Sequence, residues 1–135
     1  MIDSSIKMKI EGVAKAYGLD LMVLFGSTAR GAEHATSDID IAVFSSESPN
    51  TSLVAEEIGN CLKRNDVEVV DLSGASPFLM RAVAEDGIVL YESKKDFFEQ
   101  WKIYARNVWF DTAWIRTRQK QSLKSWAINY QTKNV

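Results

Sequence analysis

Apolar residues return at helical spacing near the start of the chain, where Ile6, Ile10, Val13, Ala14 and Tyr17 share one stripe. Recurrence every three to four residues predicts an amphipathic helix over 2–17, with Gly18 as its stop. The pattern then changes. Leu19 to Phe25 is a short apolar run, as in a buried strand, and Gly26-Ser27 breaks it. Residues 28–37 are small and polar around Gly31 and read as a turn plus loop. Asp38 to Phe44 alternates polar and apolar positions and predicts a second strand. A polar loop containing Pro49 follows, then a second helix over 53–62 and a third strand over 67–72. Ser76 and Pro77 are a capping residue and a first-turn proline for a third helix, which Gly87 ends. A fourth strand runs over 88–91. From Ser93, a candidate cap, Phe98, Trp101, Ala105, Val108, Thr112 and Ile115 mark one face of a long helix. The expected fold class is α/β, in the α+β sense. It has a mixed sheet of about four strands flanked by helices, then a long C-terminal aromatic helix.

Composition narrows the class. The 135 residues suit one domain, and 46% hydrophobic with 25% charged residues is ordinary for a globular protein. No apolar run approaches the roughly 18 residues of a membrane span. The N-terminus lacks the apolar core of a signal peptide. Cys61 is the sole cysteine, so an internal disulfide is excluded and a cytoplasmic setting is expected. With His34 the sole histidine, a structural zinc site, which usually takes four N/S ligands, is not expected. Cys61 reads as a small core residue and His34 as a solvated loop residue.

Charge divides the chain. Residues 1–93 carry 7 basic and 15 acidic side chains, whereas residues 94–135 carry 9 basic and 3 acidic. All four tryptophans, Trp101, Trp109, Trp114 and Trp126, lie in the basic part. We therefore expect a core over 1–93 and a helical extension over 94–135 that packs on the core and remains available to a partner. The extension has more aromatic residues than one helix face can bury, which points to a protein interface, with Trp109 and Trp114 as contact candidates. RNA is the second choice, through Arg116, Arg118, Lys120 and Lys124.

The candidate chemistry lies in Leu24-Phe25-Gly26-Ser27-Thr28-Ala29-Arg30-Gly31 and Ser37-Asp38-Ile39-Asp40-Ile41-Ala42-Val43. Residues two apart on a strand share a face, so Asp38 and Asp40 project together. Clustered carboxylates attract a hard cation, and Mg²⁺ takes its remaining ligands from water and substrate phosphates. Gly26 permits a close backbone approach. Ser27 offers a hydroxyl and a backbone N–H to a phosphate, and Arg30 offers a charged fork. No P-loop signature is present.

Gly-Ser, ten residues and then Asp-x-Asp on a new strand resembles the minimal nucleotidyltransferases of the DNA polymerase beta-like superfamily, of the type paired with HEPN toxins. Val67-Glu68-Val69-Val70-Asp71-Leu72, Ala75-Ser76-Pro77-Phe78-Leu79 and Asp86-Gly87-Ile88-Val89-Leu90-Tyr91-Glu92 extend the resemblance over roughly residues 1–93. It implies the polymerase-beta-like fold, with Asp38 and Asp40 holding two Mg²⁺ ions and Gly26 and Ser27 holding the triphosphate of ATP. It also implies a third carboxylate. The family places Asp where this chain has Glu68; Glu68 is the preferred candidate and Asp71 the alternative. Thr28 departs too, since Arg is common there.

What the resemblance implies for function is an antitoxin that transfers AMP from ATP to a tyrosine of a cognate HEPN ribonuclease toxin. A second reading is a binding module that neutralises its partner by contact alone. A third is nucleotidyl transfer to a small molecule such as an aminoglycoside, for which 135 residues leave little room.

Overall fold

The structure is a computed structural model that describes residues 2–29 and 38–133. Ten elements follow one another: α1 Ser4–Ala16, β1 Leu21–Phe25, α2 Gly26–Ala29, β2 Ile39–Phe44, α3 Thr51–Leu62, β3 Val67–Asp71, α4 Pro77–Asp86, β4 Ile88–Glu92, α5 Phe97–Asp111 and α6 Ala113–Lys133. The expected mixed four-stranded sheet is present, in the order β3-β2-β1-β4. β1 runs antiparallel to both β2 and β4, and β2 pairs parallel with β3.

Short polar side chains set the helix starts. Asp3 accepts from the Ile6 amide at 2.9 Å, Asn50 from Leu53 at 3.1 Å and Ser76 from Leu79 at 3.2 Å. Each satisfies a donor that a helix start otherwise leaves open. Asn50 moves the start of α3 to Thr51, two residues ahead of the start expected from apolar spacing.

The sheet separates two apolar layers. On one face α1 and α3 bring Ile10, Ala14, Val54 and Ile58 onto Met22, Leu24, Ile39, Ile41 and Val43. On the other, α4 and α5 bring Met80, Val83, Phe98, Trp101 and Ala105 onto Leu21, Val23 and Ala42. β1 is buried on both faces, which is why its sequence is a continuous apolar run rather than an alternation. Gly87 lets α4 end against the sheet: a Cβ there would collide with the Val83 carbonyl oxygen and stand 2.6 Å from Val23 Cγ1 and 2.9 Å from Phe98 Cζ.

Three expectations need correction. Gly26–Ala29 is a helical turn, not an irregular loop. The aromatic extension is two helices rather than one, because Thr112 interrupts it. Its first residues are also not capped by Ser93, whose hydroxyl donates to Asp20 Oδ1 at 3.2 Å. Asp96, in the left-handed conformation, precedes α5 and makes no side-chain cap bond. Of the expected helix face, Phe98, Trp101 and Ala105 are buried, while Ile115, beyond the break, is 37% exposed.

Candidate active site

The candidate carboxylates gather where β1 ends and β2 begins. Asp40 is the second residue of β2, opposite Phe25 on β1 and Glu68 on β3. Asp38 precedes the strand by one residue and is exposed. Strand alternation turns Asp40 to the side of Ala42, and Glu68 to the side of Val70 and Leu72, all residues of the α4–α5 layer. Asp40 and Glu68 thus meet on one face, in register.

Their proximity leaves an electrostatic mark. The Asp40 carboxyl is pushed above the usual carboxylate range, first by burial and then by the negative charges of Glu68 and Asp38. A hydrogen bond shared with Glu68 adds to the rise. A proton held between two side chains is the expected response to carboxylates crowded together without a cation.

Gly26 forms the wall beside Asp40. Its φ is +79°, a conformation that residues with a Cβ rarely adopt. A Cβ there would lie 2.5 Å from Asp40 Oδ2. Glycine is therefore required twice over, for backbone conformation and for the space the carboxylate fills. α2 starts at Gly26 and carries Ser27, whose side chain lies outside the described residues, as does all of Arg30 and His34.

Asp71 has a different setting. It pairs in register with Val43, so it faces away from Asp40 and Glu68, and its Oδ1 accepts from the Ser73 amide at 2.9 Å. It caps a turn. Among the described residues no group of three His, Cys, Asp or Glu side chains forms a metal site by itself. Two adjacent carboxylates with an exposed third do fit a hard cation that completes its shell with water and phosphate oxygens, as Mg²⁺ does.

The two candidate contact tryptophans differ. Trp114 is 60% exposed. Trp109 is half-buried between two guanidinium groups, with Arg116 Cζ 3.4 Å and Arg81 Cζ 4.5 Å from its ring centroid. Phe78 meets the same ring at 5.3 Å in an edge-on arrangement. Sequence reading missed this cluster, because nothing in the spacing of Phe78, Arg81, Trp109 and Arg116 brings them together. Cys61 is a half-buried residue against the α1–α3 core, and burial pushes its thiol up, as expected for a packing residue.

A mixed sheet backed by helices, with acidic residues on adjacent strands beside a glycine turn, defines a nucleotidyltransferase of the polymerase-beta type. This chain belongs to that family: residues 8–96 match the Polymerase beta, Nucleotidyltransferase model. Its similarity to curated proteins includes the protein adenylyltransferase MntA of Shewanella oneidensis, 34% identical over 94 residues, 67% of this chain and 65% of that protein. The MntA of Aphanizomenon flos-aquae is 36% identical over 96 residues, 62% of this chain and 64% of that protein. The chain thus spans somewhat under two thirds of the length of the curated relatives it matches. Among solved structures, a toxin-antitoxin with AMP-PNP superposes with a TM-score of 0.75 at 27% identity, covering 87% of this chain and 98% of the other.

Proposed function

We propose that this protein is a Mg²⁺-dependent protein adenylyltransferase. It transfers AMP from ATP to a tyrosine of a cognate HEPN-class ribonuclease, silences that toxin, and so acts as an antitoxin in the cytoplasm. The observation that carries the reading is the convergence of Asp40 and Glu68 in register, with Asp38 beside them, against a glycine whose missing side chain leaves the space that Asp40 fills. The MntA names of its relatives and the AMP-PNP-bound toxin-antitoxin neighbour support the choice of nucleotide and acceptor class.

In this reading Asp38 and Asp40 hold the metal, with Glu68 as the third carboxylate. Gly26 and Ser27, with Arg30, hold the triphosphate. Bound Mg²⁺ supplies the positive charge that offsets the carboxylates and the phosphate oxygens. The tyrosine oxygen attacks the α-phosphorus in line, an O–P bond forms, the bridging α–β P–O bond breaks and pyrophosphate leaves. Glu68, on the edge strand and exposed, accepts the phenolic proton. Most of the acceleration is positioning and electrostatics, since the attacking oxygen belongs to the acceptor.

Incubation of the protein with α-labelled ATP, Mg²⁺ and the product of its neighbouring gene tests the proposal. Label is expected on a partner tyrosine. Absence of label, or label that persists with Asp38→Asn plus Asp40→Asn, contradicts it. The contact-only reading is favoured by the exposed aromatic extension. It predicts that the double variant protects cells as well as wild type.

A further inference from the structure

Helix α6 leaves the body of the protein. Its first turn is tied to α5, whereas residues 117–131 are exposed on every side. Its 21 residues span roughly 30 Å at about 1.5 Å each. Leu123, Trp126, Ile128 and Tyr130 are each more than half exposed. An exposed apolar surface on that scale marks an interaction site.

The direction of α6 is fixed from its base. Arg116 donates to Thr112 Oγ1 at 2.8 Å and to the Trp109 carbonyl at 2.5 Å, and its guanidinium lies on the Trp109 ring. Arg81 of α4 takes the same ring. The cluster joins α4, α5 and α6, so Trp109 is a positioning residue and the docking groups lie further along.

Charge and ring geometry select the occupant. Residues 113–133 hold Arg116, Arg118, Lys120, Lys124 and Lys133 and no acidic residue. Two α6 helices side by side bring like charges together, which disfavours self-pairing. Trp126 and Tyr130 stack on each other, with centroids 5.4 Å apart and planes 20° off parallel. Stacked in that way the two rings leave no gap for a base between them, and with Leu123 they form one apolar ridge rather than a row of separate stacking platforms. Gln119, Leu123, Trp126 and Tyr130 recur at i, i+4, i+7 and i+11 and line one face, flanked on either side by Arg118 and Lys120.

We propose that α6 is a docking helix whose Leu123–Trp126–Tyr130 stripe enters an apolar groove of a protein partner, with carboxylates on the groove rim meeting Arg118 and Lys120. This is recognition of a helix in a groove. It rests on the reading above, which makes that partner the HEPN-class protein.

Calorimetric titration of the full chain with the purified product of its neighbouring gene, the proposed HEPN-class partner, tests it. Leu123→Ala with Trp126→Ala is expected to weaken binding at least tenfold. Circular dichroism and melting should be unchanged, because these side chains are exposed. Arg118→Glu with Lys120→Glu is expected to weaken binding and flatten its salt dependence, while Met8→Ala on α1 leaves it unchanged. Equal binding by the Leu123/Trp126 variant and wild type overturns the docking role. If wild type still labels the partner in that case, the adenylyltransferase reading stands. If wild type neither binds nor labels it, both fall.

Discussion

Asp40 is the residue on which the proposed metal site and the stability of the fold meet. Its carboxyl is raised by burial and by Glu68 and Asp38. A carboxyl raised above its unfolded value of 3.8 costs the fold nothing below that pH. It destabilises the fold increasingly as pH rises through the folded value. Asp40→Asn is therefore expected to melt at a higher temperature than wild type near neutral pH and without Mg²⁺, with the gap closing as pH falls towards 4. A gap that does not change with pH contradicts this account. The same variant is expected to lose at least a hundredfold in kcat/KM, a trade of function for stability. Gly26→Ala has a separate cause. Its methyl meets the Asp40 carboxylate and its backbone must hold a positive φ. We expect transfer to fall by an order of magnitude or more, with nucleotide affinity measured by calorimetry falling alongside. Asp38 and Asp40 were legible as a pair because strand alternation is a local rule. That Glu68 and Asp71 face opposite ways was legible for the same reason. Which of them meets Asp40 was not, because it depends on the parallel register of β2 and β3, set by strands 28 residues apart.

At the scale of elements, the helices and strands of the core follow their apolar periods closely, since each buries a face against the sheet. The break in the extension does not. The sequence from Phe97 to Lys133 contains no Pro or Gly to stop a helix. The interruption comes instead from Thr112, whose hydroxyl donates to the Val108 carbonyl at 2.7 Å, and from Arg116, which reaches back across the end of α5. Such side-chain bonds compete with the helix without changing its propensity. Replacing Arg116 by Met keeps the stem but removes the charge and the donors. It is expected to cost about 1–2 kcal/mol, from cation–π contact and hydrogen bonds together, measured by urea unfolding. An unchanged midpoint contradicts the role given to the cluster. Gly87→Ala, which places a methyl against the Val83 carbonyl oxygen as well as Val23 and Phe98, is expected to cost about 1–3 kcal/mol by the same measurement.

For the molecule as a whole, charge is sorted along the chain, with an acidic body and a basic extension. The sorting was visible in composition, and the structure adds that the basic half ends in a helix exposed on all sides over residues 117–131. In the reading proposed above, the body presents its carboxylates to a cation and a nucleotide, while α6 meets an acidic partner. Association with that partner should slow as salt rises, since exposed charges are screened over about 8 Å at physiological ionic strength. The acceptor was never legible in the core residues, because the roles proposed for Gly26, Asp38, Asp40 and Glu68 concern only the nucleotide and its metal. The central claim is that those carboxylates transfer AMP to a protein. Intact mass of the HEPN-class partner, purified after co-expression with this chain, tests it most directly. The account predicts a partner heavier by whole AMP units with wild type and unmodified with Asp38→Asn plus Asp40→Asn. An unmodified partner with wild type, or equal modification with both, would contradict it.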